Sequence, residues 1–274
     1  IMGIFAIVFY VLCYVLSTER VQEAPKKEEA SFGQMLASLG RNKPLGGILV
    51  AALLLLIGSL LPGTLVTFLW LDYFNRGELQ AVASLVGFAP AILLIFVAPW
   101  LARRFGKRET AFGALLLGGA LMILAYVLNL QGSPFTYIVL FALSQLMVSL
   151  FNFLIWAFIT DVIDFQEVNT GERDDGTIYG IYSWARKLGQ AIAQGLGGFA
   201  LGWVGYQATS GGEQIVQSQE TLNGIYMFST LVPGITYMLV ALALRFLYPL
   251  NKSRVEENAK ILAERRAAKA AEQG

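Results

Sequence analysis

The chain has 274 residues, of which 56% are hydrophobic and only 14% are charged, and its formal net charge is +1. Soluble domains usually carry about 25% charged residues, so this composition excludes an ordinary water-soluble domain. The near-zero net charge also gives no indication of a nucleic-acid partner.

The chemical inventory argues against an enzyme. There is no histidine, which removes the commonest general base and the commonest metal ligand, and the single cysteine, Cys13, cannot form an intrachain disulfide. An intramembrane enzyme would need a nucleophile with a base, or a metal site, and the sequence has neither HExxH nor a GxSxG motif beside a suitable partner. We therefore predict no enzymatic activity, no metal site and no organic cofactor.

Long uncharged stretches recur along the chain, and each crossing of a bilayer takes about 20 apolar residues. The stretch from Thr110 to Thr160 is too long for one crossing, so we divide it at its turn signal, QGSP at 131–134. The sequence thus predicts an all-α fold, a polytopic transmembrane helical bundle. Its seven spans are 1–16, 45–71, 80–101, 110–130, 135–160, 177–204 and 222–248.

The segments between the spans set the predicted organisation: a helix at 1–16, a loop at 17–44 with a short amphipathic helix, a six-helix unit at 45–249 and a tail at 250–274. The tail is charged and is predicted to be a solvated helix. Because the first span starts at residue 1 without a starting methionine or a signal-type leader, we expect the chain to be the C-terminal part of a longer protein.

Lysine and arginine are unevenly distributed among the connections. Five lie in 17–44, four in 102–109 and six in the tail from Asn251, whereas 72–79 holds only Arg76. Cytoplasmic loops carry the excess of basic residues. We therefore predict a multi-pass protein of the cell (inner) membrane, with its C-terminus and the acidic stretch from Asp161 on the cytoplasmic side.

Two adjacent charges, Arg186 and Lys187, lie inside the sixth span. A charge near the centre of a span costs about 2.5–3.5 kcal/mol on insertion scales, so such residues often mark a site. The alternative is that both side chains extend to the cytoplasmic surface. The same span carries small residues every four positions, which favour close helix packing. These residues are Ala185, Gly189, Ala193 and Gly197.

The stretch DVIDFQEVNTGERDDGTIYGIYSWARKLGQAI resembles the signature of glycoside/pentoside/hexuronide:cation symporters, the melibiose-permease type within the major facilitator superfamily. The matching positions are Asp161, Asp164, Phe165, Thr170, Gly171, Arg173, Asp175, Lys187 and Gly189. The resemblance covers nearly the whole chain. It implies that the spans are the six-helix C-terminal half of a major facilitator fold plus the preceding helix.

The resemblance further implies cation-coupled symport of a sugar or glycoside, driven by Na⁺, H⁺ or Li⁺ through alternating access of two halves. Lys187 matches a lysine beside the sugar and cation sites, and Tyr182, Ser183 and Arg186 fall at positions that line the sugar cavity. Asn152 replaces a cavity tryptophan of the family's type member, and Trp156, one turn on, is its candidate substitute. The cation-binding carboxylates belong to the N-terminal half. The expected partners are the sugar, the lipid bilayer and that N-terminal half.

The carboxylates after the fifth span lie at a helix C-terminus, where negative charge is unfavourable. We predict that Asp161, Asp164 and Glu167 pair with bases on the same face and so hold the outward-facing state. The candidate bases are those of the stretch ARRFGKR at 102–108, Arg103 and Arg104 above all, together with Arg173. The alternative is a solvated acidic loop, because exposed ion pairs contribute only about 0–1 kcal/mol.

Other functions stay open at this point. A transporter of the same fold for a lipid or organic anion is the main alternative, followed by a non-transporting membrane sensor or scaffold. Because a guanidinium binds a carboxylate or sulfonate with two hydrogen bonds, Arg186 also raises the hypothesis that the substrate is an anionic glycoside, against a neutral pentoside or hexoside as the default.

Overall fold

The computed structural model describes residues 2–17, 42–88, 91–208 and 215–273, and these residues are almost entirely α-helical. The helices are α1 (Met2–Leu16), α2 (Lys43–Phe68), α3 (Leu79–Phe88), α4 (Ala91–Phe105), α5 (Lys107–Leu128), α6 (Pro134–Thr170), α7 (Asp175–Trp203), α8 (Gln219–Phe246) and α9 (Lys252–Gln273). A π-helical turn, Leu69–Tyr73, extends α2. The all-α prediction is confirmed. The predicted amphipathic helix in the 17–44 loop lies outside the described residues.

Among the residues that the structure describes, four helical stretches are long and apolar enough to cross a membrane: Lys43–Tyr73, Lys107–Leu128, Pro134–Thr170 and Gln219–Phe246. The predicted span at 80–101 is covered by α3 and α4, and residues 89–90 between them lie outside the described residues. The predicted span at 177–204 is α7, which is 29 residues long.

The helices pack around α8 and α6. α8 contacts α2 and α5, while α6 contacts α5, α3, α4 and α9. The approach of α5 to α8 is close, since a Cβ atom on Gly119 would lie 2.7 Å from the carbonyl oxygen of Gly234. Only glycine fits such a contact, which fixes how deeply the two helices interlock.

The small-residue stripe of α7 is buried and faces α2. A Cβ on Gly189 would lie 2.7 Å from Leu53 Cδ2, and one on Gly197 would lie 2.8 Å from Thr64 Cβ. The stripe therefore packs α7 against α2, as its spacing indicates. The side of α7 that carries Ser183, Lys187, Gln190 and Gln194, its polar side, points away from this contact.

The connections gather at two opposite ends of the bundle. At one, the Asp161 end, Asn42 donates to Gln166 Oε1 over 3.3 Å and Lys107 meets Asp161. At the other, the Asp72 end, Tyr206 Oη donates to Asp72 Oδ2 over 3.2 Å. The described connections that are rich in lysine and arginine, 102–109 and the tail, thus meet at the Asp161 end, while the side of the membrane that this end faces stays a prediction.

The tail is not merely solvated, which corrects the prediction made for it. Leu262 of α9 is 3% exposed, and Arg265 donates to the backbone carbonyls of Glu167 and Val168 over 3.2 and 3.1 Å. The helix α9 has an apolar side as well as charges, and its basic side chains satisfy carbonyl groups at the C-terminus of α6. The tail helix is therefore docked on α6.

Candidate functional site

An aromatic and cationic group, the Trp156 cluster, joins α6 to α7. It consists of Trp156, Tyr179, Tyr182 and Arg186. The ring of Trp156 stacks on Tyr179 at 5.9 Å between centroids and meets Tyr182 edge-on at 6.1 Å. The Arg186 guanidinium carbon lies 5.7 Å from the centroid of Tyr182. These contacts hold a charged group and three aromatic rings on one surface of the bundle.

One side of the Trp156 cluster is buried in the bundle, and the other side is exposed. Tyr182 is 1% exposed, whereas Trp156 is 49% exposed and Tyr179 is 51% exposed. Buried contacts thus fix Tyr182, and Tyr182 in turn supports Trp156 and Arg186. A half-exposed indole presents an apolar face and an N–H donor, which suits a ligand that carries both C–H and hydroxyl groups.

Polar side chains continue along α7 beside the cluster. Lys187 and Gln194 are exposed, while Ser183 and Gln190 are half-buried. At 100° per residue these four positions share one side of the helix with Tyr179. A lysine and two amides are unfavourable against hydrocarbon. This side of α7 therefore requires water or another protein surface as its neighbour.

The structure brings three of the six predicted substrate residues into contact: Trp156, Tyr182 and Arg186. Asn152 is exposed one turn before Trp156, and its amide donates to the Val148 carbonyl over 3.4 Å within α6. Tyr179 was missed, although its place one helical turn before Ser183 was a usable signal.

Arg173 lies at the centre of the acidic stretch. Its guanidinium contacts Asp164 Oδ1, Glu167 Oε2 and Asp175 Oδ2, each at 3.0 Å, and we call these four residues the Arg173 cluster. Partial burial lowers the pKa of Arg173, but the hydrogen bonds to Glu167, Asp175 and Asp164 outweigh it and raise the pKa above its ordinary value. The guanidinium is therefore charged at every working pH.

Asp161 has a partner of its own. Its side chain is 5% exposed and its Oδ1 atom lies 2.6 Å from Lys107 Nζ. Lys107 belongs to the basic stretch ARRFGKR, but the predicted bases Arg103 and Arg104 do not take part. Both are exposed, and within the described part of the chain their side chains form no ion pair.

A turn at Gly106 explains why Lys107, and not Arg103 or Arg104, pairs with Asp161. Gly106 has a φ of +100°, a value that glycine adopts without strain, and the chain reverses there between α4 and α5. Lys107 begins α5 and faces α6, whereas Arg103 and Arg104 end α4. The carbonyl of Arg103 instead accepts a hydrogen bond from Lys252 Nζ of α9 at 2.8 Å.

Comparison with known proteins assigns the chain to a family. Residues 1–252 match the family described as MFS/sugar transport protein. The chain belongs to this family. It is therefore a multi-pass membrane protein of the major facilitator type and not an enzyme.

Individual relatives are similar over most of the chain. A glucuronide carrier protein homolog of Escherichia coli (strain K12) is 28% identical over 261 residues, which are 94% of this chain and 54% of the relative. An uncharacterized symporter of Bacillus subtilis (strain 168) is 27% identical, over 92% of this chain and 54% of the relative. An isoprimeverose transporter of Lactiplantibacillus pentosus is also 27% identical, over 92% and 51%. The chain thus spans about half the length of these relatives.

Proposed function

We propose that the protein is one half of a secondary active transporter that moves a sugar or glycoside together with Na⁺ or H⁺ by alternating access. Membership of the MFS/sugar transport family supports this proposal, as do relatives that are named as symporters and sugar transporters. The chain spans about half of those relatives, so a second six-helix half completes the transport pathway.

The polar side of α7, together with the Trp156 cluster, carries the proposal. Exposed Lys187 and Gln194 and half-exposed Trp156 lie among helices that are otherwise apolar. Such a surface is unfavourable against lipid and favourable against a water-filled substrate pathway. We place the second half of the transporter opposite this surface, with the substrate between the two halves and the coupling-cation site mainly in the second half.

The Arg173 cluster and the pair between Asp161 and Lys107 have a separate role in this proposal. They lie at the Asp161 end, which we assign to the cytoplasm of a cell (inner) membrane because the basic connections meet there. In the proposed cycle these contacts stabilise the state that is closed on the cytoplasmic side. The outward-facing state depends on them, and inward opening breaks them.

The substrate is proposed to be an anionic glycoside. Arg186 offers a guanidinium beside a half-exposed indole, and a carboxylate binds such a fork with two hydrogen bonds. One relative is named as a glucuronide carrier homolog, and a glucuronide bears a carboxylate. A neutral pentoside or hexoside is the competing substrate class.

Trp156 provides the test of the proposed binding surface. In the full-length protein, Trp156→Ala should weaken glycoside binding by about tenfold or more, as loss of an aromatic anchor at a binding interface does, while Trp156→Phe keeps most of the affinity. Isothermal titration calorimetry measures both. Trp203→Ala is the matched control, because Trp203 is 83% exposed at the other end of α7. Unchanged binding in Trp156→Ala would remove this surface from the substrate pathway.

A further inference from the structure

A small cavity at the Asp161 end lies between the turn that joins α4 to α5 and the start of the tail helix α9. Its volume is about 200 Å³, and none of the Trp156-cluster residues lines it. We call it the Arg103 cavity. Among the described residues, its lining holds more bases than acids. The bases are Arg103, Lys107, Arg108 and Lys252, and the acids are Asp161 and Glu256.

Two of these bases have no close carboxylate, whereas Lys107 and Arg108 each lie 2.8 Å or less from one. Lys252 Nζ is 4.0 Å from Glu256 Oε1, which is at the limit of an ion pair. Arg103 is exposed, and its side chain forms no ion pair with the residues that the structure describes. Since Lys252 is also exposed, the exposed rim of the cavity carries an excess of positive charge.

Two helix N-termini add to this charge. Lys107 is the first residue of α5, and Lys252 is the first residue of α9. A helix N-terminus is partly positive, so a lysine there is unfavourable and an anion is favourable. α9 has no acidic residue in its first turn. The acid in the first turn of α5, Glu109, is bound to Arg108 at 2.8 Å.

The floor of the cavity supplies a hydrogen-bond acceptor. Asp161 is 5% exposed, and its Oδ1 atom is bound to Lys107, but its Oδ2 atom has no hydrogen-bond partner among the described residues. A buried carboxylate oxygen without a donor is unfavourable. A hydroxyl group satisfies such an oxygen without adding charge to the ion pair. A ligand that fits this cavity therefore has an anionic group for the rim and a hydroxyl group for the floor.

The position and size of the cavity narrow the ligand further. Trp100, one helical turn before Arg103, is 54% exposed, and tryptophan is enriched at the level of lipid head groups. The volume equals that of several waters, each of which takes about 30 Å³ in the liquid, so it suits a head group rather than a larger molecule. Basic pockets at this level of a membrane protein bind phosphate-bearing head groups.

We propose that the Arg103 cavity binds a glycerol phosphate group. Arg103 and Lys252 bind the phosphate at the rim, and a glycerol hydroxyl donates to Asp161 Oδ2 at the floor. The same group occurs as the head group of phosphatidylglycerol and as free glycerol phosphate. This inference goes beyond the proposed transport, because it assigns a separate site for a ligand other than the transported glycoside.

Binding to the purified full-length protein distinguishes the two sources. Native mass spectrometry measures phosphatidylglycerol, with phosphatidylethanol as the comparison, since that lipid has the same charge without the glycerol hydroxyls. Calorimetry measures sn-glycerol 3-phosphate, with methyl phosphate as the comparison. At least one of the two glycerol-bearing probes should bind, and it should bind about fivefold or more tightly than its comparison, which is about 1 kcal/mol.

Charge variants locate the binding. Arg103→Gln should weaken it by about fivefold, as expected for one cation near a membrane surface. Arg104→Gln is the matched control, because Arg104 is the adjacent exposed arginine and does not line the cavity, and it should bind as the unmodified protein does. Glu256→Gln removes a carboxylate that repels the phosphate and should tighten binding.

Thermal unfolding without ligand separates lost binding from lost folding. The three variants change exposed side chains and should unfold at the temperature of the unmodified protein. If Arg103→Gln fails to fold, tighter binding by Glu256→Gln decides. The inference is wrong if neither glycerol-bearing probe binds, if the comparison probes bind as tightly, or if Arg103→Gln and Arg104→Gln have equal effects. Glycoside binding at Trp156, and with it the proposed function, would stand in each of these cases.

Discussion

Arg186 is the residue whose chemistry distinguishes an anionic from a neutral substrate. It is half-buried against Tyr182, so its guanidinium is oriented before a ligand arrives. We expect Arg186→Gln to weaken binding of a glucuronide by about tenfold, since it removes a charge-assisted pair of hydrogen bonds, and to leave the matching glucoside almost unchanged. Calorimetry of both ligands on the full-length protein measures the difference.

Arg245→Gln is the control for this experiment, because Arg245 also lies over an aromatic ring, Phe246, at 5.9 Å, but on α8. It should affect neither ligand. If the neutral glucoside binds as tightly as the glucuronide, or if Arg186→Gln weakens both equally, the substrate is not selected by its charge at Arg186.

The sequence predicts the roles and partners of some residues better than those of others. Arg186 and Lys187 stand out because charges are rare in an apolar span. The partner of Asp161 is harder to predict, because the reversal of the chain at Gly106 decides which basic residue of the loop faces α6. The backbone angles of a loop depend on tertiary contacts, which the local sequence does not show.

The contact of α7 with α2 is the packing that positions the proposed binding surface. Gly197 has no room for a side chain beside Thr64, whereas the next residue, Gly198, is exposed, and a Cβ atom there would meet nothing within 4 Å. We expect Gly197→Ala to lower the free energy of unfolding by about 1–3 kcal/mol through overpacking. Gly198→Ala, the matched control, should leave it equal or raise it by about 0.5–1 kcal/mol.

Thermal unfolding of the purified full-length protein reports both variants. A Gly197→Ala protein as stable as Gly198→Ala would mean that α7 does not pack on α2 at this depth. Such a result would also leave Tyr182 and Arg186 without a fixed support.

Helix existence follows from the sequence more directly than helix length does. The apolar run at 135–160 predicts one span, yet α6 continues to Thr170 and measures about 55 Å at 1.5 Å per residue. Hydropathy reports only the part within the roughly 30 Å hydrocarbon core. The extra turns carry Asp161, Asp164 and Glu167 beyond it, where Lys107, Arg173 and the tail helix α9 meet them.

For the whole molecule, the proposed cycle predicts that the Arg173 cluster controls opening at the Asp161 end. Arg173→Gln leaves three neighbouring carboxylates without their shared cation and should favour the inward-open state. To measure this opening, a cysteine for chemical labelling is introduced by Gln194→Cys, on the polar side of α7, in a Cys13→Ser background. Its reaction with an impermeant thiol reagent from the cytoplasmic side should quicken about fivefold, which is about 1 kcal/mol.

High salt should produce part of the same increase without the substitution, because the cluster is partly exposed and salt screens such charges. Arg76→Gln is the matched control, since Arg76 pairs with Glu78 at the opposite end of the bundle. An unchanged labelling rate in Arg173→Gln would reduce the cluster to a structural cap between α6 and α7.

Gradient-driven uptake tests the central claim most directly, because it asks whether the polar side of α7 faces a transport pathway. Full-length protein in proteoliposomes is given a labelled glycoside and an inward Na⁺ or H⁺ gradient, with Lys187→Ala compared with Lys260→Ala on the exposed side of α9. The account predicts that uptake needs the gradient, survives Lys260→Ala and is abolished by Lys187→Ala, at equal protein levels. Undiminished uptake by Lys187→Ala, or uptake that ignores the gradient, would contradict it.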